Sequence, residues 1–574
     1  MCGILGIFSF VEPITIEESL KKLKNLEYRG YDSVGFATIE GYFNKHVGTI
    51  DSFLDSLSEN EKSITTKCII LHTRWATHGG VTKNNSHPHF DCKKEIFVVH
   101  NGIIENYKEM KEELIKKGHK FVSETDTEVI AHLIEEMKDK SDKEILLSLS
   151  NMLDGTYAIL IIFRGRKKIL FLKKESPLVI GVAKNKVFVS SDIYAFLNET
   201  NRIITLNDGE FGIIDNNGIV IFDENGNKIN KRIKVVKRFL FAENDNSFEH
   251  YMLKEILEQP RVSEILINSL ETEQNKRVNK LLDAIKSFEK IVFIAAGSSY
   301  HSSLIGSYLL RSLEYNAFSV LASEYKQFFL YDKGTLLIPV SQSGETMDVI
   351  LALKDLKNKV GDVFSIVNVP YSTIQRISSN SIEILAGQEK AVAATKTYTN
   401  QLVLFYYIAN SLGLRVKIDE IPLKIDEAIK RNREKIIEIA NELTDPKDIF
   451  IIGRDIDFLA SLEIALKLKE IAYKHAEAFA AGELKHGTIA LIEKGTPVIV
   501  LHGFNDLIES NTKEVESRGA KTVVFGDDLY IPLDDLTYPI YHVVLGQLLT
   551  YYIAKNNNLP IDKPRNLAKS VTVV

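Results

Sequence analysis

Cys2 is the first residue of this chain whose type and position suggest chemistry, because it stands directly behind the initiator methionine. Removal of Met1 would place a thiol and a free α-amine on the same residue. An α-amine has a pKa of about 7.7–8.0, so near neutral pH it can take the thiol proton without help from a histidine. Most cysteines at position 2 have no chemical role, so the hypothesis of a nucleophile depends on the rest of the chain.

Downstream residues offer the groups that a nucleophile attacking an amide would need. Asn101 and the backbone N–H of Gly102 can form an oxyanion hole, which we expect in a turn that follows a strand. Arg74 offers two parallel donors for the carboxylate of an amino-acid substrate, and Asp126 offers a countercharge for its ammonium group. Together these residues favour hydrolysis of an amino-acid amide.

Two alternatives remain open for this part of the chain. Arg74 and Trp75 can form a simple cation–π pair at the surface. The four histidines at positions 72, 78, 87 and 89 can be read as zinc ligands, but Pro88 interrupts them and no thiol or carboxylate spacing completes a site. We therefore expect no metal site and no cofactor.

Two serine-rich loops in the second half of the chain are candidates for binding an anion. Residues 295–300 and 340–346 both lie where an apolar strand ends and a helix should begin. Free N–H groups and hydroxyls at such a position suit a phosphate monoester. Plain helix capping by serine is the alternative, and it would suffice for one such loop. No GxxxxGK[ST] motif occurs, so nucleoside triphosphate chemistry is not indicated.

Two charged features stand out in the second half, the pair Lys467 and Glu470 and a C-terminal tail that carries Lys569. Lys467 and Glu470 share one face of a predicted helix, with an ordinary surface ion pair as the alternative. Lys569 lies in a C-terminal tail, residues 563–574, that we expect to dock instead of fraying. We expect the docked tail to lie beside a cation such as Lys467, and burial there would favour the neutral form of the Lys569 amine.

Composition indicates a cytoplasmic protein of enzyme size. The 574 residues carry 71 basic and 77 acidic side chains without a long block of one sign, which favours neither nucleic acid nor an anionic membrane surface as partner. Apolar runs are shorter than the ~20 residues of a membrane span, and no signal peptide is expected. The three cysteines, Cys2, Cys68 and Cys92, form no CxxC pair, so we expect neither a disulfide framework nor a cysteine-rich metal site.

The elements that must position these residues change in type along the chain. Residues 2–235 are rich in short β-branched strands with few helices, which predicts a layered sandwich of the α+β class. Residues 236–280 read as a linker with connecting helices. Apolar strands then alternate with helices in 281–425 and 440–562, and their glycine loops and following strands recur with nearly the same spacing. This pattern predicts two similar α/β lobes with parallel sheets.

Whole motifs of the chain resemble the class II, N-terminal-nucleophile glutamine amidotransferases, and specifically the glucosamine-6-phosphate synthase family. The matching runs of the first half are C-G-I-L-G-I, L-E-Y-R-G-Y-D-S, H-T-R-W-A-T-H, H-N-G-I-I-E-N and S-E-T-D-T-E-V-I-A-H. Those of the second half are S-Q-S-G-E-T, A-L-K-L-K-E-I, H-A-E-A, G-E-L-K-H-G and P-R-N-L-A-K-S-V-T-V. The resemblance covers essentially the whole chain. It implies a glutaminase domain with the four-layer αββα sandwich of the N-terminal-nucleophile hydrolases, followed by two sugar isomerase (SIS) domains.

For the glutamine half, the resemblance implies a complete set of roles. Cys2 would attack the carboxamide and form a glutamyl thioester, with Asn101 and Gly102 stabilising the oxyanion. Trp75 would gate the path of ammonia. The glutamine itself would be held by Arg74, Thr77, His78 and Asp126.

For the sugar half, the resemblance implies that Lys569 forms a Schiff base with the ketone and that Glu470 moves a proton from C1 to C2. Lys467 would stabilise developing oxygen charge, and His486 of the neighbouring subunit in a homodimer would assist ring opening. The sugar phosphate would be bound by Ser298, Ser299, Ser341, Gln342, Ser343, Thr346 and Val392.

The implied reaction converts L-glutamine and D-fructose 6-phosphate to D-glucosamine 6-phosphate and L-glutamate, the first step of amino-sugar synthesis. The alternative is a related glutaminase–SIS enzyme that acts on another phosphosugar or as a deaminase. A non-catalytic sugar-phosphate sensor would not need Cys2, Glu470 and Lys569 together. Three departures from the family pattern, Ala394, Thr488 and the loop Ala295-Ala296-Gly297-Ser298-Ser299, put one sugar hydroxyl contact in doubt but not the chemistry.

Overall fold

The chain folds into two compact units. The computed structural model describes residues 2–75, 79–236, 248–328 and 331–570. One unit comprises residues 1–241 with 570–574, and the other comprises residues 242–569. Within the described ranges, no helix is both long enough and apolar enough to traverse a lipid bilayer.

The first unit contains most of the strands. Its strands β1 to β17 are, in chain order, Gly3–Ser9, Ile14–Thr15, Ser33–Thr38, Phe43–Val47, Thr65–Thr66, Cys68–Arg74, His89–Phe90, Ile96–Ile104, Gly155–Phe163, Arg166–Lys174, Val179–Val182, Lys186–Ser190, Arg202–Thr205, Phe211–Asp215, Gly218–Phe222, Lys228–Ile229 and Lys234–Val235. Its helices α1 to α6 are Ile16–Leu23, Ile50–Ser56, Glu59–Lys62, Tyr107–Lys116, Glu128–Glu136 and Asp142–Met152.

Two antiparallel sheets form the middle layers of this unit. Their strand orders are β17-β13-β11-β12-β1-β6-β3-β4 and β16-β15-β14-β10-β9-β8-β7. Side chains such as Ile4 and Leu160 pack between the sheets, and α5 and α6 cover the second sheet's other face. Since side chains alternate along a strand, Leu5 and Ile7 point away from the sheet interface, towards the side where α1 contacts β1 and β6. The predicted αββα layering is confirmed.

The second unit alternates strands with helices. Its strands β18 to β26 are Lys290–Ala295, Ala317–Leu321, Thr335–Ser341, Asp362–Val367, Asn380–Glu383, Asp448–Gly453, His475–Ala480, Pro497–Leu501 and Lys521–Phe525. Its helices α7 to α18 are Tyr251–Leu257, Gln259–Glu271, Asn275–Ser287, Gly297–Arg311, Tyr325–Phe328, Met347–Leu356, Thr373–Ile377, Lys396–Ser411, Ile421–Glu442, Ile456–Ala472, Leu507–Glu516 and Tyr538–Asn556.

Two parallel sheets of matching topology organise the second unit. Their orders are β19-β18-β20-β21-β22 and β24-β23-β25-β26, so in each sheet the first strand in sequence lies between the second and the third. Strands such as β18 are apolar almost throughout, as expected of a sheet that helices cover on both faces. The predicted pair of similar α/β lobes is confirmed.

Candidate active sites

Close packing of β1 against β6 positions Cys2. Gly3 is the first residue of β1, and it pairs with Thr73 near the end of β6. The Gly3 N–H donates to Thr73 Oγ1 at 3.2 Å. A Cβ atom at position 3 would lie only 2.7 Å from that oxygen, so a larger residue would push the two strands apart. Glycine at position 3 therefore lets Cys2 lie at the end of β6, where Arg74 is the last residue of the strand and Trp75 follows.

Cys2 is held by hydrogen bonds at both its thiol and its carbonyl group. Trp75 N–H donates to Cys2 Sγ at 3.3 Å, and the carbonyl accepts from Asn101 Nδ2 at 2.7 Å and from Arg29 Nε at 3.2 Å. Burial raises the pKa of the Cys2 thiol, while the Trp75 N–H and the Arg74 guanidinium act in the opposite direction. The thiol therefore needs a nearby base to become a nucleophile at neutral pH.

Arg29 supports the nucleophile and was not assigned a role from the sequence. It is buried, and its guanidinium lies 3.4 Å from the Asp192 carboxylate, which also accepts from Tyr28 Oη at 2.6 Å. The sequence offered one signal, the Tyr28–Arg29–Gly30 run inside a matched motif, but no spacing tied it to Asp192. An arginine paired with a buried carboxylate is a fixed donor for the Cys2 carbonyl.

The expected oxyanion residues lie inside a strand. Asn101 and Gly102 belong to β8, whose pairing with β9 continues to Ile104, so the predicted turn after a strand is wrong. Gly102 has a φ of +128°, and a Cβ atom there would lie 1.9 Å from the Thr156 carbonyl oxygen. Only glycine can adopt this backbone conformation in such close contact with β9. The positive φ changes the direction of the β8 backbone at residue 102, near Cys2, while the strand continues.

Arg74 and Asp126 place opposite charges beside the thiol. The Arg74 guanidinium donates to the carbonyls of Gly79 and Gly80, each at 3.1 Å. Asp126 lies two residues before the start of α5, and its Oδ2 accepts a hydrogen bond from the Ile104 N–H at 2.7 Å. Arg74 lowers the pKa of the Cys2 thiol and Asp126 raises it, and their shared role as glutamine ligands stays a prediction. The other two predicted glutamine ligands, Thr77 and His78, lie outside the described residues.

The histidines around the site are buried and neutral. The rings of His72 and His87 stack with centroids 3.9 Å apart, and His72 Nε2 lies 3.0 Å from the His100 carbonyl oxygen. Burial lowers the pKa of His72 to about 3 and that of His87 and His89 well below the usual range. These rings pack the core behind the nucleophile.

In the second unit, Lys467 forms the centre of a buried charge cluster. Its ammonium group lies 2.7 Å from Glu470 and 3.2 Å from Glu463, and it donates to Ser298 Oγ at 3.1 Å. Lys467 and Glu463 are both 0% exposed, so the alternative of a surface ion pair is wrong. Burial disfavours the charged lysine, but the two carboxylates outweigh it and hold the pKa of Lys467 above its usual range.

Both serine loops lie where the sequence predicted. Ser298 and Ser299 occupy the first turn of α10, directly after β18. Ser341 ends β20, and its hydroxyl lies 2.9 Å from Thr346 Oγ1 and accepts from the Gly344 N–H at 3.0 Å. Neither α10 nor α12 has a side-chain cap hydrogen bond, so helix capping does not explain these hydroxyls.

Lys569 is buried against a carboxylate. Its ammonium group pairs with Glu389, whose oxygens also accept from the N–H groups of Thr395 and Thr397 at 2.9 and 3.1 Å. Burial alone would raise the pKa of Glu389, but Lys569 and these donors outweigh it and lower the pKa to about 2. The sequence predicted the cation Lys467 beside Lys569, and the structure instead places the Glu389 anion there.

Helix α14 connects the two charge clusters. Thr397 Oγ1 donates to Glu389 at 2.7 Å, and one helical turn later Gln401 Nε2 donates to Ser299 Oγ at 2.9 Å. The Lys569–Glu389 pair therefore lies about one helical turn from the loop that carries Ser298 and Ser299. None of the three connecting residues, Glu389, Thr397 or Gln401, was identified from the sequence.

Backbone contacts dock the C-terminal tail. Asp562 accepts from the N–H groups of Tyr251 and Met252 at 2.9 Å each, and its carbonyl accepts from Val392 N–H at 3.0 Å. The Arg565 N–H donates to the Tyr473 hydroxyl at 2.7 Å. Asp562 thus fixes the residue just before the predicted tail, and Arg565 and Lys569 are two of its members with observed contacts. Residues 571–574 lie outside the described ranges, and docking of the whole tail stays a prediction.

His486 stands apart from these contacts. It ends a short 3-10 helix, Leu484–His486, and its side chain is exposed. Among the described residues it makes no side-chain hydrogen bond or ion pair. Its expected role in a neighbouring subunit's site stays a prediction.

Comparisons with known proteins match both units. The family model for a glutamine amidotransferase domain matches residues 72–198, and the SIS domain model matches residues 284–411 and 442–537. A solved C-terminal domain of glucosamine-fructose-6-phosphate aminotransferase from Francisella tularensis is 26% identical, with a TM-score of 0.49 over 56% of this chain and 100% of its own.

Curated relatives match from end to end. The glutamine–fructose-6-phosphate aminotransferases [isomerizing] of Sulfurisphaera tokodaii and Pyrococcus horikoshii are 40% and 41% identical, each over 100% of both chains. Identity at this level over the full length of both proteins establishes common family membership. The chain belongs to the family of isomerising glutamine–fructose-6-phosphate aminotransferases.

Proposed function

We propose that this chain transfers the amide nitrogen of L-glutamine to D-fructose 6-phosphate and isomerises the product to D-glucosamine 6-phosphate, releasing L-glutamate. The full-length relatives carry the name of this reaction. The observation that carries the proposal is that one chain holds both a partly buried thiol at position 2, bonded to the N–H of Trp75 next to Arg74, and a serine loop bonded to a lysine–glutamate pair. The first suits an amide and the second suits a sugar phosphate.

In the glutamine half, Cys2 is the nucleophile. Removal of Met1 frees the α-amine, which takes the thiol proton and offsets the raised thiol pKa. The thiolate attacks the carboxamide carbon, and Asn101 Nδ2 and the Gly102 N–H donate to the oxyanion. The α-ammonium group returns its proton to the nitrogen, which leaves as ammonia as the adduct collapses to the thioester. Asn101 Nδ2 donates to the Cys2 carbonyl at 2.7 Å, so it already lies beside the reacting residue. Water then hydrolyses the glutamyl thioester.

The substrate's two charged groups are matched by two charged residues. Arg74 binds the α-carboxylate of glutamine and Asp126 binds its ammonium group. The support is that both side chains are buried and both influence the Cys2 thiol electrostatically. Thr77 and His78 complete the pocket by resemblance to the family. Trp75, which follows Arg74 and packs edge-on against the Tyr31 ring at 5.6 Å, gates the departure of ammonia.

In the sugar half, the serine loops bind the phosphate. Ser299, Ser341, Gln342, Ser343 and Thr346 supply hydroxyls and N–H groups at the starts of α10 and α12. Ser298 contacts the sugar, since its hydroxyl already accepts from Lys467. Val392 closes the pocket from the segment that Asp562 anchors.

Proton transfer is assigned to α16 and the tail. Lys569 condenses with the C2 ketone and loses water, and the resulting imine acidifies C1. Ammonia displaces the lysine and leaves an imine at C2. Glu470 carries a proton from C1 to C2, the C1 hydroxyl proton passes to the imine nitrogen, and Lys467 stabilises the negative charge on the sugar oxygen between these transfers. Glu470 is suited to this step because it is the more accessible of the two carboxylates on Lys467, 22% exposed against 0% for Glu463.

We infer that the working unit is a homodimer in which His486 of the partner subunit assists ring opening. The support is the exposed, unbonded imidazole of His486, which no described element of its own chain engages. The cytoplasmic location expected from the composition stays a prediction.

A panel of substrates tests the proposed reaction against its alternative. Purified protein receives glutamine with fructose 6-phosphate or with other ketose 6-phosphates, and separately receives glucosamine 6-phosphate alone. The proposal expects amino-sugar formation from fructose 6-phosphate above the rest of the panel. Preference for another phosphosugar, or release of ammonia from glucosamine 6-phosphate as the main activity, would establish the alternative instead.

A further inference from the structure

Four potential metal ligands converge in the first unit, away from the residues assigned to glutamine. They are Cys92, His119, His132 and Glu135, and one ligand atom from each lies within 4.8 Å of the others. Cys92 lies between β7 and β8, and His119 follows α4. His132 and Glu135 lie three residues apart on α5, so they share one face of the helix.

The spacing of these atoms fits a tetrahedral metal ion. Cys92 Sγ lies 3.6 Å from Nδ1 of both His119 and His132, and the two Nδ1 atoms are 3.2 Å apart. Glu135 Oε2 lies 3.1 Å from His119 Nδ1 and 3.4 Å from His132 Nδ1. Around zinc, with bonds of about 2.0–2.1 Å to nitrogen and about 2.3 Å to sulfur, tetrahedral ligands lie about 3.4 Å apart for N–N and about 3.6 Å for S–N.

Carboxylates behind the histidines support coordination through Nδ1. His119 Nε2 lies 3.1 Å from Glu136 Oε1, and His132 Nε2 lies 3.7 Å from Glu128 Oε1. With Nδ1 bound to a metal, each ring carries its proton on Nε2, which faces an acidic partner. This arrangement of metal, imidazole and carboxylate is common in zinc sites. The His132 and Glu128 side chains are each 1% exposed, so their geometry is fixed by packing.

The charges also balance. A thiolate and a carboxylate contribute two negative charges, and two neutral imidazoles contribute none. A divalent cation therefore gives a neutral site, which suits its partly buried position, with His119 7% and Glu135 19% exposed. A rival account needs no metal, because a proton on both nitrogens of His119 can bridge Glu135 and Glu136.

We propose that Cys92, His119, His132 and Glu135 bind one divalent first-row transition ion, with zinc the best match to a thiolate, two imidazoles and a carboxylate. Four protein ligands leave no open position, so the ion is structural. Binding releases the Cys92 thiol proton to solvent as the sulfur–metal bond forms. From the sequence, only the histidines between 72 and 89 were considered as metal ligands. The four ligands proposed here come from three separate elements, so their spacing along the chain matches no metal-binding motif.

The ion would brace the glutamine site from outside. It ties α5 to the β7–β8 turn and to the end of α4, and α5 begins two residues after Asp126. Glu128, behind His132, accepts from the N–H groups of Val122 and Ser123 at 2.8 and 2.7 Å, in the loop that leads to Asp126. Loss of the ion should loosen this loop without removing any group that contacts glutamine.

Metal analysis of the full-length, tag-free protein tests the site. The chain is produced in zinc-supplemented medium, dialysed against metal-free buffer and analysed by elemental mass spectrometry. We expect one zinc per wild-type chain, and less than a tenth of that in Cys92→Ala. Lys93→Ala, a change at the exposed neighbouring residue, is the matched control and should keep the full zinc content. Wild-type protein without stoichiometric metal, or Cys92→Ala with it, would overturn the proposal.

Cobalt and thermal unfolding provide a second readout that does not depend on activity. Co²⁺ added to chelator-treated wild-type protein should give the visible absorption of a tetrahedral site and a thiolate charge-transfer band, and both should vanish in Cys92→Ala. A chelator should lower the Tm of the wild type and of Lys93→Ala but leave that of Cys92→Ala unchanged. Equal chelator effects on all three proteins, or none on any, would favour the proton-bridged cluster.

Discussion

Replacement of Glu389 by glutamine should release the C-terminal tail from the sugar site. Glu389 and the Lys569 side chain are 0% and 2% exposed, so solvent does not screen their attraction. An amide of the same size keeps the volume but removes the charge. The amide also has one acceptor oxygen where the carboxylate has two. Its NH₂ group must face either Lys569 or the N–H donors of Thr395 and Thr397, so at least one of these donors loses its acceptor. The ammonium group of Lys569 would then be buried without a counterion.

The expected loss follows from the pKa of Glu389. Pairing and hydrogen bonds lower that pKa from 4.5 to about 2, and at about 1.36 kcal/mol per unit the charged form is favoured by about 3 kcal/mol. Breaking a buried ion pair by removing one partner costs a similar amount, about 3–5 kcal/mol. A loss of about 3 kcal/mol reduces the ratio of docked to undocked tail by a factor of about 10².

Hydrogen exchange measured by mass spectrometry follows the tail directly. In Glu389→Gln, the peptide covering residues 563–570 should exchange faster, and amino-sugar synthesis should fall by at least tenfold. Glutamine hydrolysis should remain, because Cys2 lies in the other unit. Glu383→Gln, at a partly exposed carboxylate that accepts from Gln375, is the matched control and should behave as the wild type. Unchanged exchange together with unchanged synthesis in Glu389→Gln would refute the assigned role of this pair.

Acid should have the same effect as the glutamine substitution. A carboxyl whose pKa is lowered in the folded protein contributes stability at pH values above its unfolded pKa. That contribution is therefore present above pH 4.5 and disappears as the pH falls from 4.5 through about 2. Tail exchange in the wild type, corrected for intrinsic rates, should rise across this window, and Glu389→Gln should show no such rise. If tail exchange rose equally in both proteins, the acid transition would belong to other carboxyl groups and not to Glu389.

Three further substitutions test the remaining roles. Cys2→Ala should abolish glutamine hydrolysis and leave sugar isomerisation measurable, so hydrolysis that survives would remove Cys2 as the nucleophile. Trp75→Ala should release more glutamate than amino sugar, and an unchanged ratio of the two products would exclude a gate. Lys467→Met leaves Glu463 and Glu470 without their cation and should destabilise the fold by about 3–5 kcal/mol in chemical unfolding. Lys469→Met, on the exposed face of the same helix, is its control and should lose less than about 1 kcal/mol.

The layered fold was predictable because the local pattern of apolar residues distinguishes strands from helices. Short runs of β-branched residues indicated the strands of the sandwich, and apolar strands followed by glycine loops indicated both parallel sheets. The register inside a strand was not predictable. Asn101 and Gly102 resemble a turn because asparagine followed by glycine is a turn signal, yet pairing of β8 with β9 extends past them. Tertiary pairing overrode the local preference.

Long-range partners were the part of the sites that the sequence could not supply. The contact between Glu463 and Lys467 could have been predicted, since Glu463 lies one helical turn before Lys467 on the same face of the helix. The pairing of Lys569 with Glu389 spans 180 residues, and no local pattern points to it. The same holds for Arg29 and Asp192, which meet only because their segments pack together behind Cys2.

Isotope transfer tests the central claim most directly. Wild-type protein is supplied with amide-¹⁵N glutamine, fructose 6-phosphate and excess unlabelled ammonium, and the products are analysed by mass spectrometry. The account predicts glucosamine 6-phosphate that carries one ¹⁵N atom, together with an equal amount of glutamate. Unlabelled amino sugar, or ¹⁵N found only in free ammonia, would contradict the transfer of glutamine nitrogen to the sugar within this protein.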